Sequence, residues 1–123
     1  MDDQTTTLAE LRDVVTEFVN QRDWQKFHSP KNLSMALAIE VGELMEHFQW
    51  ISRDESREIA DDPQKVAAAG EELADVLCYT LAIANELRLD LSATLEAKMV
   101  KNRLKYPVEE YRGRYGPEDE GSS

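Results

Sequence analysis

Cysteine occurs once in the 123 residues, at Cys78, so the chain closes no disulfide within itself and builds no cysteine-based zinc site. Cys78 lies in an apolar run, where packing is its expected role. Basic side chains are scarce: 14 Lys and Arg stand against 25 Asp and Glu, a formal charge of -11. Such a balance repels the phosphate backbone of nucleic acids and an anionic membrane surface, so neither polymeric nucleic acid nor a membrane is an expected partner. Long apolar runs are missing too, since no segment approaches the roughly 20 residues that span a bilayer. The opening MDDQTTT has no basic stretch leading into an apolar one, so no export signal is read and the expected location is the cytoplasm. Glycine (5) and proline (4) are few and strand-like alternation is absent, which leaves an all-α chain.

Helical patterns are what the sequence does have. Thr7 followed by Glu10 predicts the start of a first helix that runs to about Trp24, with Leu8, Leu11, Val15, Phe18 and Val19 as its buried stripe. Gln25 to Asn32 reads as a loop, with Asn32 or Ser34 capping a second helix from about Leu33 to Ile51. Ser52 and Glu55 offer a capping box inside a polar connector that ends at Asp62 and has room for one short helix. Asp62-Pro63 predicts a third helix to about Leu87, apolar nearly all round from Val76 to Ile83 and therefore buried on more than one side. A fourth helix is expected from about Ser92 to just before Pro107. The expected architecture is a four-helix bundle forming one domain over residues 1–107, followed by a tail over 108–123 that is mobile beyond 116. A chain this short buries only about two-thirds of the surface its unfolded form exposes, so sharing the core with copies of itself is part of the expectation.

Four acids stand out by position. Glu40 and Glu43 lie one turn apart in the second helix, and Glu72 and Asp75 repeat that spacing in the third. Most acids of such a chain solvate helix faces, but Glu40 is flanked by Leu37 and Leu44, and Asp75 is followed at four residues by Tyr79. A carboxylate on a core stripe must become neutral, pair with a cation or bind a metal, and no Lys or Arg lies three or four residues from any of the four. Two such pairs facing one another make an all-oxygen cage, which suits a hard cation such as Mg²⁺ and not zinc. The competing di-iron design needs Glu-x-x-His on two helices, whereas Glu43 and His47 are four apart and the third helix has no histidine. His47 reads as a partly exposed helix residue, and neither it nor His28 has a partner at ligand spacing.

Glu40-Val41-Gly42-Glu43 followed by Glu72-Leu73-Ala74-Asp75 resembles the signature of the all-α nucleoside triphosphate pyrophosphohydrolases, the MazG-like superfamily. Arg22-Asp23-Trp24, Phe27-His28 with Pro30 and Asn32-Leu33, Phe48-Gln49-Trp50, and Lys98-Met99 with Asn102-Arg103 and Tyr106-Pro107 narrow the resemblance to its dCTP pyrophosphatase branch, over roughly residues 8 to 115. The resemblance implies that Glu40, Glu43, Glu72 and Asp75 are Mg²⁺ ligands and the catalytic set. It implies cleavage of dCTP and related pyrimidine nucleotides between the α and β phosphates, giving a monophosphate and pyrophosphate. It also implies homo-tetramers built from tightly packed dimers, with neighbouring chains completing each site.

Beside it, Lys98 and Asn102 lie along one side of the fourth helix and are candidates for phosphate or sugar contact, where the plainer reading is a solvated basic face. Trp24 and Trp50 are candidates for the base pocket, with His28 and Tyr79, against ordinary core packing. Alternative readings keep the superfamily with dUTP or phosphoribosyl-ATP as substrate, or take the chain as a non-catalytic helical oligomerisation or regulatory module.

Overall fold

The computed structural model describes residues 1–114, and among them every regular element is helical. Six α-helices follow one another: α1 Leu8–Gln21, α2 Pro30–Glu46, α3 Arg53–Glu58, α4 Pro63–Leu87, α5 Leu91–Lys105 and α6 Val108–Tyr111. Single 3-10 turns occupy Gln25–Phe27 and Ile59–Asp61. The all-α class expected from the sequence is borne out.

Local chemistry accounts for where the helices begin. The Thr7 hydroxyl accepts from the Glu10 N–H at 3.2 Å and opens α1. Ser29, with Pro30 at the first helical position, opens α2 by accepting from the Asn32 N–H at 3.1 Å. The second helix thus starts three residues before the position expected, and Asn32 serves instead as a donor, its side chain reaching the Phe27 carbonyl at 3.1 Å. Ser52 and Glu55 form the expected capping box, and Asp62 accepts from the N–H groups of Gln64 and Lys65 to open α4.

Helix ends departed more from expectation. α1 stops at Gln21 because Asp23 turns left-handed (φ 54°), which lets the N–H of Trp24 reach the Val19 carbonyl at 3.1 Å and that of Asp23 reach Asn20 at 3.2 Å. α4 ends the same way, with Arg88 at φ 54° and the Leu89 N–H on the Ala84 carbonyl at 2.9 Å. α2 stops at Glu46 rather than near Ile51, and residues 47–50 form a turn.

The described residues fall into two compact units, Met1–Leu89 and those from Asp90 onward. In the first, α4 packs most extensively along α2 and also against α1. Its core consists of Val15, Val19, Leu33, Leu81, Ala82 and Ala84. A polar strut ties α1 to α4: Arg12 Nε donates to Asn85 Oδ1 at 2.9 Å, and Asn85 Nδ2 donates to Thr16 Oγ1 at 3.1 Å. In the second unit Asp90 caps α5 through the Ala93 N–H at 2.9 Å, and Tyr106 meets Tyr111 edge-on with ring centroids 5.1 Å apart. No helix among the described residues is long and apolar enough to cross a membrane. The tail expected to move beyond 116 lies outside the described residues.

Candidate functional site

α2 and α4 turn their acidic pairs toward one another. One carboxylate oxygen from each of Glu40, Glu43 and Glu72 lies within 4.8 Å of the other two. Glu40 and Glu72 are half-buried, while Glu43 and Asp75 are exposed. Asp75 stands outside that trio, but its charge reaches both Glu40 and Glu72.

This arrangement resists ionisation. Burial raises the Glu40 carboxyl above its ordinary range, and the charge and hydrogen bond of Glu43 add to the effect, followed by Asp75 and Glu72. Burial likewise raises Glu72, helped by Glu43 and Asp75, while His47 opposes the shift. His47 forms the C-terminal cap of α2 and is half-buried, the partly exposed position expected of it. Oε2 of Glu40 is buried and has no hydrogen-bond partner among the described residues. A buried, unpartnered carboxylate oxygen facing other acids is a costly group in isolation. It is also what an oxygen-coordinated divalent cation requires, so the donor set fits a hard metal ion.

Next to the acids is a cavity of about 410 Å³ with Asp75 on its wall. Trp24, His28, Tyr79, Phe18 and Cys78 also line it. Trp24 packs edge-on against Phe18 at 5.6 Å between centroids and stands 6.4 Å from the His28 ring. The Arg22 guanidinium covers the Phe18 ring at 3.8 Å, steadying the wall on which Trp24 rests. Burial raises the Tyr79 hydroxyl, with Glu40, Cys78 and Asp75 adding to it, so that group remains a donor across the neutral range. Burial and Asp75 likewise push the Cys78 thiol up, away from nucleophilic character. A second, more polar cavity of about 320 Å³, with Arg12, Thr16, Gln25 and Asn85 among its lining residues, shares His28 with the first.

Of the residues singled out from sequence, Glu40, Glu43 and Glu72 form one cluster, while Asp75, Trp24, His28 and Tyr79 share one cavity. Trp50 is 87% exposed in the turn after α2 and does not line that cavity. Lys98 and Asn102 belong to α5 in the second unit, Lys98 exposed and Asn102 half-buried with its amide 3.7 Å from Met99 Sδ. Phe18 and Cys78 were read as packing residues, and nothing in their spacing marks them as cavity lining. The chain reversal at Asp23 brings Trp24 back onto Phe18 of α1, while Cys78 reaches the cavity from α4.

The MazG-like family model matches residues 35–115. The dCTP pyrophosphatase 1 of Bos taurus is 46% identical over 107 residues, 87% of this chain and 63% of that protein. The human dCTP pyrophosphatase 1 is 46% identical over 102 residues, 83% of this chain and 60% of that protein. The chain therefore spans less than two thirds of the length of these curated relatives. Among solved structures, a pyrophosphatase from Archaeoglobus fulgidus superposes with a TM-score of 0.76 at 38% identity, covering 87% of this chain and 98% of that one.

Proposed function

The chain belongs to the MazG-like family, and on that premise we propose that it is a Mg²⁺-dependent nucleoside triphosphate pyrophosphohydrolase acting on dCTP-like substrates. The products are the monophosphate and pyrophosphate, and the role is upkeep of the cytoplasmic nucleotide pool. The observation that carries this reading is the orphaned Oε2 of Glu40 inside a three-carboxylate cluster, with Asp75, whose charge reaches Glu40, on the wall of an aromatic cavity. Similarity to dCTP pyrophosphatases of mammals supports the substrate class.

Glu40, Glu43 and Glu72 would hold the ion, with Asp75 completing the set from the cavity wall. Held there, Mg²⁺ would supply the positive charge that lets an acidic site accept a triphosphate of about four negative charges and would make water more acidic. The chain's own groups do the rest. Trp24 offers a face on which a base stacks, an interaction worth about 1–3 kcal/mol, and His28 and Tyr79 present polar atoms to the base or sugar. Lys98 and Asn102 are assigned contact with phosphate or sugar, and Trp50 is assigned to the base pocket completed by a neighbouring copy. Association into a homo-tetramer of paired dimers belongs to the same reading. It is supported by the imbalance, among the described residues, between six buried apolar residues and 21 large apolar residues left exposed, more than a stand-alone core leaves uncovered.

Pyrophosphate release measured with Mg²⁺ across the four dNTPs, methylated dCTP, dUTP and phosphoribosyl-ATP tests the proposal, with dCTP-like substrates expected to be fastest. Glu43→Ala and Asp75→Ala should each lower turnover by about 100-fold or more while helical content stays intact. Absence of turnover on every triphosphate contradicts the enzyme reading, and undiminished activity in both variants contradicts the ligand set.

A further inference from the structure

The side of α2 that faces away from the acids carries a pattern the site does not use. Leu33 is buried, and Leu37, Glu40 and Leu44 are half-buried, which marks the inward side of the helix. On the outward side Met35, Ile39 and Met45 are 58%, 63% and 57% exposed, and Ala38 is exposed between them. Gly42, itself half-buried, completes the stripe. A Cβ built there meets nothing within 4 Å, so the chain's own packing gives no reason for a glycine that weakens the helix interior. Met35, Ala38, Gly42 and Met45 are spaced three, four and three apart, the seam spacing of two paired helices.

We propose that this face pairs α2 with α2 of a second copy of the chain, antiparallel about a two-fold axis between Ala38 and Ile39. The inference rests on the proposal above that copies associate, and it names the face and the register. In that register Met35 sits over the partner's Gly42, and Gly42 receives the partner's Met35, so one contact repeats itself by symmetry. The glycine supplies the hole that the methionine fills. Charge decides the direction. Lys31 and Glu46 are the two charged residues on this side of α2, and they stand equally far from the axis. Antiparallel pairing sets Lys31 against the partner's Glu46 at both ends, whereas parallel pairing sets like charges against each other. A partner unrelated to this chain would have no need of a pattern that is its own complement.

Sedimentation velocity on the 123-residue chain over a range of concentrations provides the test. Wild type is expected to associate. Lys31→Glu should raise the dissociation constant about tenfold or more by placing like charges at both ends of the seam, and adding Glu46→Lys should restore association. An acid in the first turn of α2 favours the helix, so loss of association in Lys31→Glu does not come from unfolding, and circular dichroism of each variant checks that point. Gly42→Leu, which fills the hole from outside the chain's own core, should weaken association comparably. A wild-type monomer at all concentrations overturns both association and this face. Association that ignores Gly42→Leu, or is not recovered by the double charge exchange, overturns the face and register while leaving oligomerisation and turnover to stand.

Discussion

At the scale of single residues, Glu40 holds the account together. Its carboxyl and that of Glu72 are raised above the ordinary value of 4.5 chiefly by burial, with Glu43 as the main neighbour. A group whose folded value is raised contributes stability that is fully present below its unfolded value and is lost as pH climbs through the folded one. Metal-free protein should therefore lose stability from these two acids as pH rises above about 4.5 toward neutrality. Mg²⁺ at neutral pH should return it, because a ligand bound to the folded state alone stabilises that state. Glu40→Gln removes one of the titrating groups, so thermal melts of the variant should show a flatter pH dependence and a smaller gain from Mg²⁺. Identical pH and Mg²⁺ responses in wild type and variant would remove Glu40 from the account. The acids were legible in the sequence because helical spacing and apolar neighbours constrain them. What the spacing could not convey was that one oxygen of Glu40 lacks a partner, or that Trp50 stands in solvent. Phe48 and Ile51 extend the apolar pattern of α2 past its end at Glu46, and that continuity hides the turn that carries Trp50 outward.

At the scale of helices, starts were easier to read than stops. Thr7, Ser52 and Asp62 each cap the helix that the sequence assigned to them, since a side chain that accepts from free N–H groups works over three residues. The C-terminal ends depend on a left-handed residue, and here Asp23 and Arg88 fill the place where glycine is usual. Without glycine the sequence carries no signal, so α1 was expected to continue to Trp24. That reversal matters for function, because it folds Trp24 back beside Phe18 and His28 and so makes the cavity wall. The corresponding left-handed residue after α4, Arg88, carries a measurable strain. Arg88→Gly should stabilise the protein by about 1 kcal/mol, since the left-handed conformation costs a side-chain-bearing residue roughly that much. Urea unfolding reads the change as a higher midpoint with an unchanged slope, and an unchanged or lower midpoint would mean that Arg88 is held there by contacts worth more than the strain.

On the scale of the whole molecule, helical class and the long third helix of the sequence reading reappear as α4, the element on which the first unit is built. The division between Leu89 and Asp90 has no sequence marker beyond a short break, and the imbalance between buried and exposed apolar side chains emerges only once the helices are packed. The proposed function joins family membership, an acidic cluster on α2 and α4 and an aromatic cavity with Asp75 on its wall into one claim, nucleotide chemistry that needs a divalent cation. The most direct trial of that claim is a titration with Mn²⁺, a spectroscopic stand-in for Mg²⁺, followed by electron paramagnetic resonance. Wild type is expected to quench the free-ion signal saturably and Glu40→Gln to bind far more weakly; equal quenching by both, or none by either, would contradict a metal site built on Glu40, Glu43 and Glu72.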